Sequence, residues 1–127
     1  ARAALIELSN LHFEDRIIKE VRDCIVNQLA EGVPRLEEVS AQLGIAPRTL
    51  QRRLQQANSR FSDLLRLVRV REACRLLYGT NLSVGEIGFW CGFTDNAHFS
   101  RDFRRLLAMP PSVYREASIG HAGLTRA

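Results

Sequence analysis

Two short stretches of this chain concentrate side chains suited to reading a hydrogen-bonding surface. Residues 48–55 hold Arg48, Thr49, Gln51, Arg52, Arg53 and Gln55, and residues 96–105 hold Asn96, Ala97, His98, Ser100, Arg101, Arg104 and Arg105. Guanidinium and carboxamide groups offer paired bonding atoms that match the major-groove edges of guanine and adenine, and the arginine fork also fits phosphate. Leu50 and Leu54 in the first stretch, and Phe99 and Phe103 in the second, recur four apart. That spacing predicts a helix in each case, with the apolar pair inward and the polar residues outward.

No other constellation offers chemistry. Cys24, Cys74 and Cys91 are odd in number, widely spaced and form no Cys-x-x-Cys pair, so reduced packing thiols are expected and a disulfide framework or zinc site is not. His98 has no companion for metal binding or base catalysis, because His12 and His121 fall in the two ends of the chain. Cys91 with His98 would suggest a thiol nucleophile, but Cys91 takes a buried position on a scaffold helix. Lacking a nucleophile–base pair, a phosphate loop or a metal cluster, the chain reads as a binding module without cofactor or metal, and not as an enzyme.

The elements that must position the two stretches are all helical. With 127 residues, 46% of them apolar, the chain suits one compact domain. Neither strand-length alternation nor a hairpin signal occurs. Ile17, Ile18, Val21, Cys24, Ile25 and Leu29 mark a first helix, from Asp15 to about Ala30, stopped by Gly32 and Pro34. Helices are expected at Leu36–Leu43 and Pro47–Gln56, with Asn58 in a left-handed ending conformation. A long helix follows from about Phe61 to Tyr78, its core side Phe61, Leu64, Leu65, Val68, Ala73, Leu76 and Leu77. Ser83 and Glu86 form a capping box, with Leu82 and Ile87 placed as a staple. The next helix runs to Cys91, and Asp95 caps another that ends near Ala108. Pro110-Pro111 starts a last short turn through Tyr114.

Two segments share one plan. Ser40 sits four residues before Gly44, between the apolar pair Val39 and Leu43, and Gly88 sits four before Gly92, between Ile87 and Cys91. In a helix-turn-helix the two helices cross steeply, which requires a small side chain at the crossing. A glycine in the turn supplies the positive φ that reverses the chain. Each of the two Arg-rich stretches is then the second helix of such a unit. Charge follows the same division: residues 1–47 carry five basic and eight acidic groups, residues 48–127 thirteen and six. All basic residues except Lys19 are arginine.

The sequence resembles the AraC/XylS transcription regulators from about Asp15 to Arg115. The resemblance rests on Leu-Gly-Ile-Ala-Pro-Arg-Thr-Leu-Gln-Arg-Arg-Leu (43–54) and on Phe61, Leu64-Leu65, Arg69-Val70, Ala73 and Leu76-Leu77. Its most specific part is Ser-Val-Gly-Glu-Ile-Gly-Phe-Trp-Cys-Gly-Phe-Thr-Asp-Asn-Ala-His-Phe-Ser-Arg-Asp-Phe-Arg-Arg (83–105), closed by Pro111-Ser-Val-Tyr-Arg115. It implies about seven helices in two helix-turn-helix subdomains joined by the long helix, with both recognition helices in successive major grooves of duplex DNA. Eighteen residues of helix span roughly 27 Å, against about 34 Å between grooves on one face. The implied base-reading residues are Arg48, Gln51 and Arg52, then Asn96, Ala97, His98, Ser100 and Arg101. Thr49, Arg53, Arg60, Arg104 and Arg105 are the candidates for phosphate contacts. Three positions depart from the family pattern at helix ends: Ala46 replaces a capping Ser or Thr, Arg35 a capping Ser, and Ala108 a Gly.

The expected organisation is a linker remnant at 1–13, a DNA-binding domain at 14–117 (first unit 14–58, central helix 60–78, second unit 82–117) and a flexible tail at 118–127. Trp90 is expected in core or interface packing, and Arg69 in an internal ion pair with Glu86. The start at Ala1, with Met109 the only methionine, is expected of a piece of a longer protein whose sensing and dimerisation domain precedes it. A cytoplasmic location is expected, since no apolar run approaches the ~20 residues of a bilayer span. RNA polymerase is a further expected partner, and a monomer is expected for the isolated domain. The alternative reading is a helical interaction module that docks RNA polymerase or a partner regulator, with the basic faces serving charge complementarity only.

Overall fold

The computed structural model describes residues 16–126, with side-chain surroundings up to Ile119. The expected linker at 1–13, with His12, lies outside the described residues, as does the side chain of His121. Helix α1 occupies residues 16–28 and runs into a 3-10 turn at Leu29–Glu31. There follow α2 (Leu36–Leu43), α3 (Pro47–Gln56), α4 (Phe61–Gly79), α5 (Val84–Trp90), α6 (Asn96–Leu107) and α7 (Pro111–Arg126). The expected all-α class holds, with seven helices and no strand among the described residues.

The chain forms two compact units that meet within α4, between Leu65 and Arg66. In the first, Ile17, Val21, Cys24, Ile25 and Leu29 of the predicted stripe are buried, while Ile18 is half-buried, and Val39, Leu50, Leu54 and Leu64 are buried with them. The Cys24 thiol donates to Gln42 Oε1 at 3.1 Å, linking α1 to α2. In the second, Val70, Ala73, Leu77, Ile87, Cys91, Phe93, Phe99 and Phe103 make one core cluster, edged by Cys74, Leu76, Leu82, Val84, Leu107 and Tyr114. The three cysteines are free thiols.

Three expectations are corrected. Helix α7, expected to end near Tyr114 before a flexible tail, continues to Arg126. Pro111 occupies its start, no proline follows, and Arg115 ties it down by donating from Nε to Leu77 O (3.0 Å) and from Nη2 to Thr80 O (3.3 Å). Trp90 is 57% exposed and its neighbour Phe89 is 78% exposed. The buried positions here are Ile87, Gly88 and Cys91, and Trp90, two residues past Gly88, points to the opposite side, so of the expected core or interface placement the core is excluded. Arg69 is internal, but Glu86 is not what holds it. Its Nε donates to Cys91 O at 3.0 Å, and its guanidinium lies 3.6 Å from the Phe93 ring centroid. Burial lowers the Arg69 pKa, opposed by the nearby Asp102 carboxylate.

The helix ends match the departures in sequence. Neither Arg35 nor Ala46 makes a side-chain cap bond at the start of α2 or α3. Asn58 and Ala108 both adopt positive φ, 55° and 60°. A Cβ in the left-handed region costs about 1–2 kcal/mol, of which the greater unfolded-state entropy of glycine offsets about 0.5–1 kcal/mol. Ala108→Gly is therefore expected to stabilise the chain by about 0.5–1 kcal/mol, measured as a higher urea midpoint at unchanged m-value.

Candidate nucleic-acid interface

Both helix-turn-helix units are closed by the same pair of backbone bonds. In the first, Gly44 N–H reaches Ala41 O (3.2 Å) and Ile45 N–H reaches Ser40 O (3.1 Å). In the second, Gly92 N–H reaches Phe89 O (2.9 Å) and Phe93 N–H reaches Gly88 O (3.0 Å). Gly44 and Gly92 carry the positive φ the turns require, 71° and 86°. The crossing residues differ in how they stay small. Ser40 is buried and ties up its own hydroxyl by donating to Glu37 O at 2.9 Å. At Gly88 even a Cβ would stand 2.7 Å from Phe99 Cδ2.

Helix α3 buries Leu50 and Leu54 and leaves Arg48, Gln51, Arg52 and Gln55 exposed, with Thr49 and Arg53 half-buried at the flanks. Beyond its C-terminus, Ser59 N–H bonds to Leu54 O at 2.8 Å, and Arg60 stands exposed before α4. An open cleft of about 410 Å³ lies beside this face, lined by Gln51, Leu54, Gln55, Ser59, Arg60, Phe61 and Ser62. The candidate base-reading and phosphate residues of the first unit thus share one polar surface.

Helix α6 is fixed more firmly. Ser83 Oγ accepts from Glu86 N (3.1 Å) at the start of α5, and Asp95 Oδ1 accepts from His98 N (2.7 Å) at the start of α6. Phe99 and Phe103 are fully buried and join an aromatic chain, Phe93–Phe99–Phe103–Tyr114, with centroid separations of 5.1, 5.9 and 5.6 Å. On the outer side Asn96, Ala97, Arg101, Arg104 and Arg105 are exposed, while His98 and Ser100 are half-buried. Arg104 and Arg105 also sit in the last turn, where their charge complements the helix dipole.

One residue of α6 escaped the sequence reading. Asp102 is buried, its Oδ1 3.6 Å from Arg66 Nε and its Oδ2 3.4 Å from His98 Nε2. The signal was available: a lone carboxylate among arginines, four residues after His98 and beside the inward Phe103. No group of His, Cys, Asp or Glu side chains among the described residues could hold a metal ion. Burial, the largest cause, pushes the Cys91 thiol up to about 12, so Cys91 is no nucleophile for His98 to activate.

Residues 39–117 match the helix-turn-helix domain family of the AraC type. The chain belongs to this AraC-type family. It is 32% identical over 110 residues to the ornithine utilization regulator of Pseudomonas aeruginosa, covering 87% of this chain and 32% of that protein. A DNA-binding transcriptional dual regulator of Escherichia coli K-12 superposes with a TM-score of 0.77 at 25% identity, over 82% of this chain and 93% of that one. The DNA-binding domain of AdpA, solved in complex with a target DNA, superposes with a TM-score of 0.65 at 27% identity, over 80% and 94%. The chain spans about a quarter to a third of the length of the curated relatives it matches.

The close approach at Gly88 generates a prediction for this AraC-type unit. Phe99 is fully buried between Phe93 and Phe103, so its ring has no space to yield to a methyl group. Gly88→Ala is expected to destabilise the chain by about 1–3 kcal/mol, visible as a lowered thermal midpoint, whereas Gly85→Ala, whose nearest neighbour is the Asn96 amide at 3.5 Å, leaves it nearly unchanged.

Proposed function

We propose that this chain is the DNA-binding domain of a bacterial transcription regulator, with α3 and α6 each laid in a major groove of duplex DNA. The observation that carries this reading is the repetition. Two units with the same turn bonds, the same buried apolar pair and the same arginine-rich outer face serve one polymer whose bonding edges repeat along its length. Arg48, Gln51 and Arg52 in α3, and Asn96, Ala97, His98, Ser100 and Arg101 in α6, are the proposed base readers. Thr49, Arg53, Arg60, Arg104 and Arg105 flank them as phosphate contacts, which set affinity and salt dependence. The chain acts by binding and not by catalysis, in the cytoplasm where the chromosome lies. No helix among the described residues is long and apolar enough to cross a membrane.

Exposed Phe89 and Trp90 favour a second reading, in which the domain instead docks a protein such as RNA polymerase and its basic faces serve charge complementarity only. Competition between a selected duplex and random duplex separates the two, because a docking module shows no preference for base sequence.

Arg52→Ala and Arg101→Ala are each expected to weaken the selected site by about 1–3 kcal/mol and to relax base preference at one position. Arg104→Ala is expected to weaken all duplexes alike and to make the slope of log affinity against log salt less steep by about one. Fluorescence anisotropy over a salt series reads both effects, and an unchanged selected-site affinity for Arg52→Ala would remove α3 from base reading.

A further inference from the structure

Asp102 does more than neutralise charge inside the second unit. Its two oxygens are divided between two elements: Oδ1 faces Arg66 of α4 at 3.6 Å, and Oδ2 faces His98 Nε2 of its own helix at 3.4 Å. The carboxylate side chain is only 13% exposed and the Arg66 side chain 27%, so this contact lies where solvent screens little. His98 is constrained from a second side as well, its ring standing at 88° to Phe93 with centroids 5.2 Å apart. Phe93 is itself buried and covered on its face by the Arg69 guanidinium. The imidazole is therefore held between a buried carboxylate and a buried ring, on a side chain that is still 43% exposed.

The two ring nitrogens then differ. A carboxylate beside Nε2 favours the proton there, which leaves Nδ1, on the other side of Cε1, as the nitrogen with an available lone pair. We propose that Asp102 is a positioning residue for base recognition: it holds the Nε2 edge of His98 so that Nδ1 acts as a fixed hydrogen-bond acceptor, and α6 thereby prefers a base that offers an amino donor in the major groove, adenine N6 or cytosine N4. This rests on the reading of α6 as a base-contacting helix and adds a direction to its choice. A histidine without such a partner accepts or donates according to its tautomer, and it discriminates poorly between donor and acceptor bases. Arg66, 3.6 Å from Oδ1, holds the carboxylate from the α4 side.

Four proteins test it: the unmodified chain, Asp102→Asn, His98→Ala and the double substitution. Each is measured against duplexes selected from a random pool and then varied one base pair at a time. The unmodified chain is expected to prefer an amino-bearing base by about tenfold at one position of the α6 half. Asp102→Asn and His98→Ala each abolish that preference, and the double substitution removes nothing more. Uniform weakening of all duplexes by Asp102→Asn, or a further loss in the double substitution, overturns the proposal by making Asp102 structural or independent. His98→Ala decides the matter even if Asp102→Asn fails to fold, because an unchanged preference there overturns it. In the free protein, nuclear Overhauser contacts between the His98 and Phe93 rings are expected in the unmodified chain and lost in Asp102→Asn; their persistence in Asp102→Asn overturns the clamp. Absence of any sequence preference in the unmodified chain would defeat the DNA-reading function itself, an outcome distinct from all of these.

Discussion

The second unit depends on one close approach, the α5 backbone at Gly88 lying against the Phe99 ring. A helix can present one face to a ligand only if its other face is fixed, and here the fixing is done by shape. Phe99 lies this close only because Gly88 has no side chain, and Phe103 follows one turn later onto Tyr114. Packing at interior density turns that fit into an orientation, since a ring with nowhere else to go defines the rotation of the whole helix about its axis. The outward arginines are placed by the inward phenylalanines.

Charge inside the unit is arranged around the same aromatic row. Arg69 is buried, yet its guanidinium rests on Phe93 and its Nε is satisfied by Cys91 O, which ends α5. A cation so placed ties the central helix to the turn of the helix-turn-helix. Asp102 supplies the opposite charge nearby and reaches Arg66 and His98. Removing either sign alone would leave an uncompensated charge in a poorly solvated place, which is costly.

Much of this was legible in the sequence, and the limits have physical causes. Helix ends, turns and apolar pairs are local properties, so Gly44, Gly92, Asn58, the Ser83 and Asp95 caps and the buried Leu50, Leu54, Phe99 and Phe103 were all read correctly. The partner of Arg69 was not. A lone arginine suggests an acid, whereas the fold satisfies it with a carbonyl and a ring face from a turn more than twenty positions away. Of the two placements that the size of Trp90 suggests, core and interface, the core is excluded because its place two residues past Gly88 turns it outward. Helix α7 misled because Gly120 and Gly123 suggest a frayed end, but the anchor at Arg115 is a tertiary feature. Which exposed residues touch bases is not a property of the chain alone.

The two outer helices begin differently, and that difference reaches beyond the protein. Asp95 satisfies an amide in the first turn of α6, while the first turn of α3 opens from Ala46 with no such acceptor. A first turn lacking its acceptor frays and adapts to the surface it meets, whereas a fastened one demands that the surface conform to it. If both helices read bases as proposed, a bound duplex would tolerate changes in the bases under α3 and be nearly fixed under α6, so that the two halves of one site would differ in how strictly they are kept.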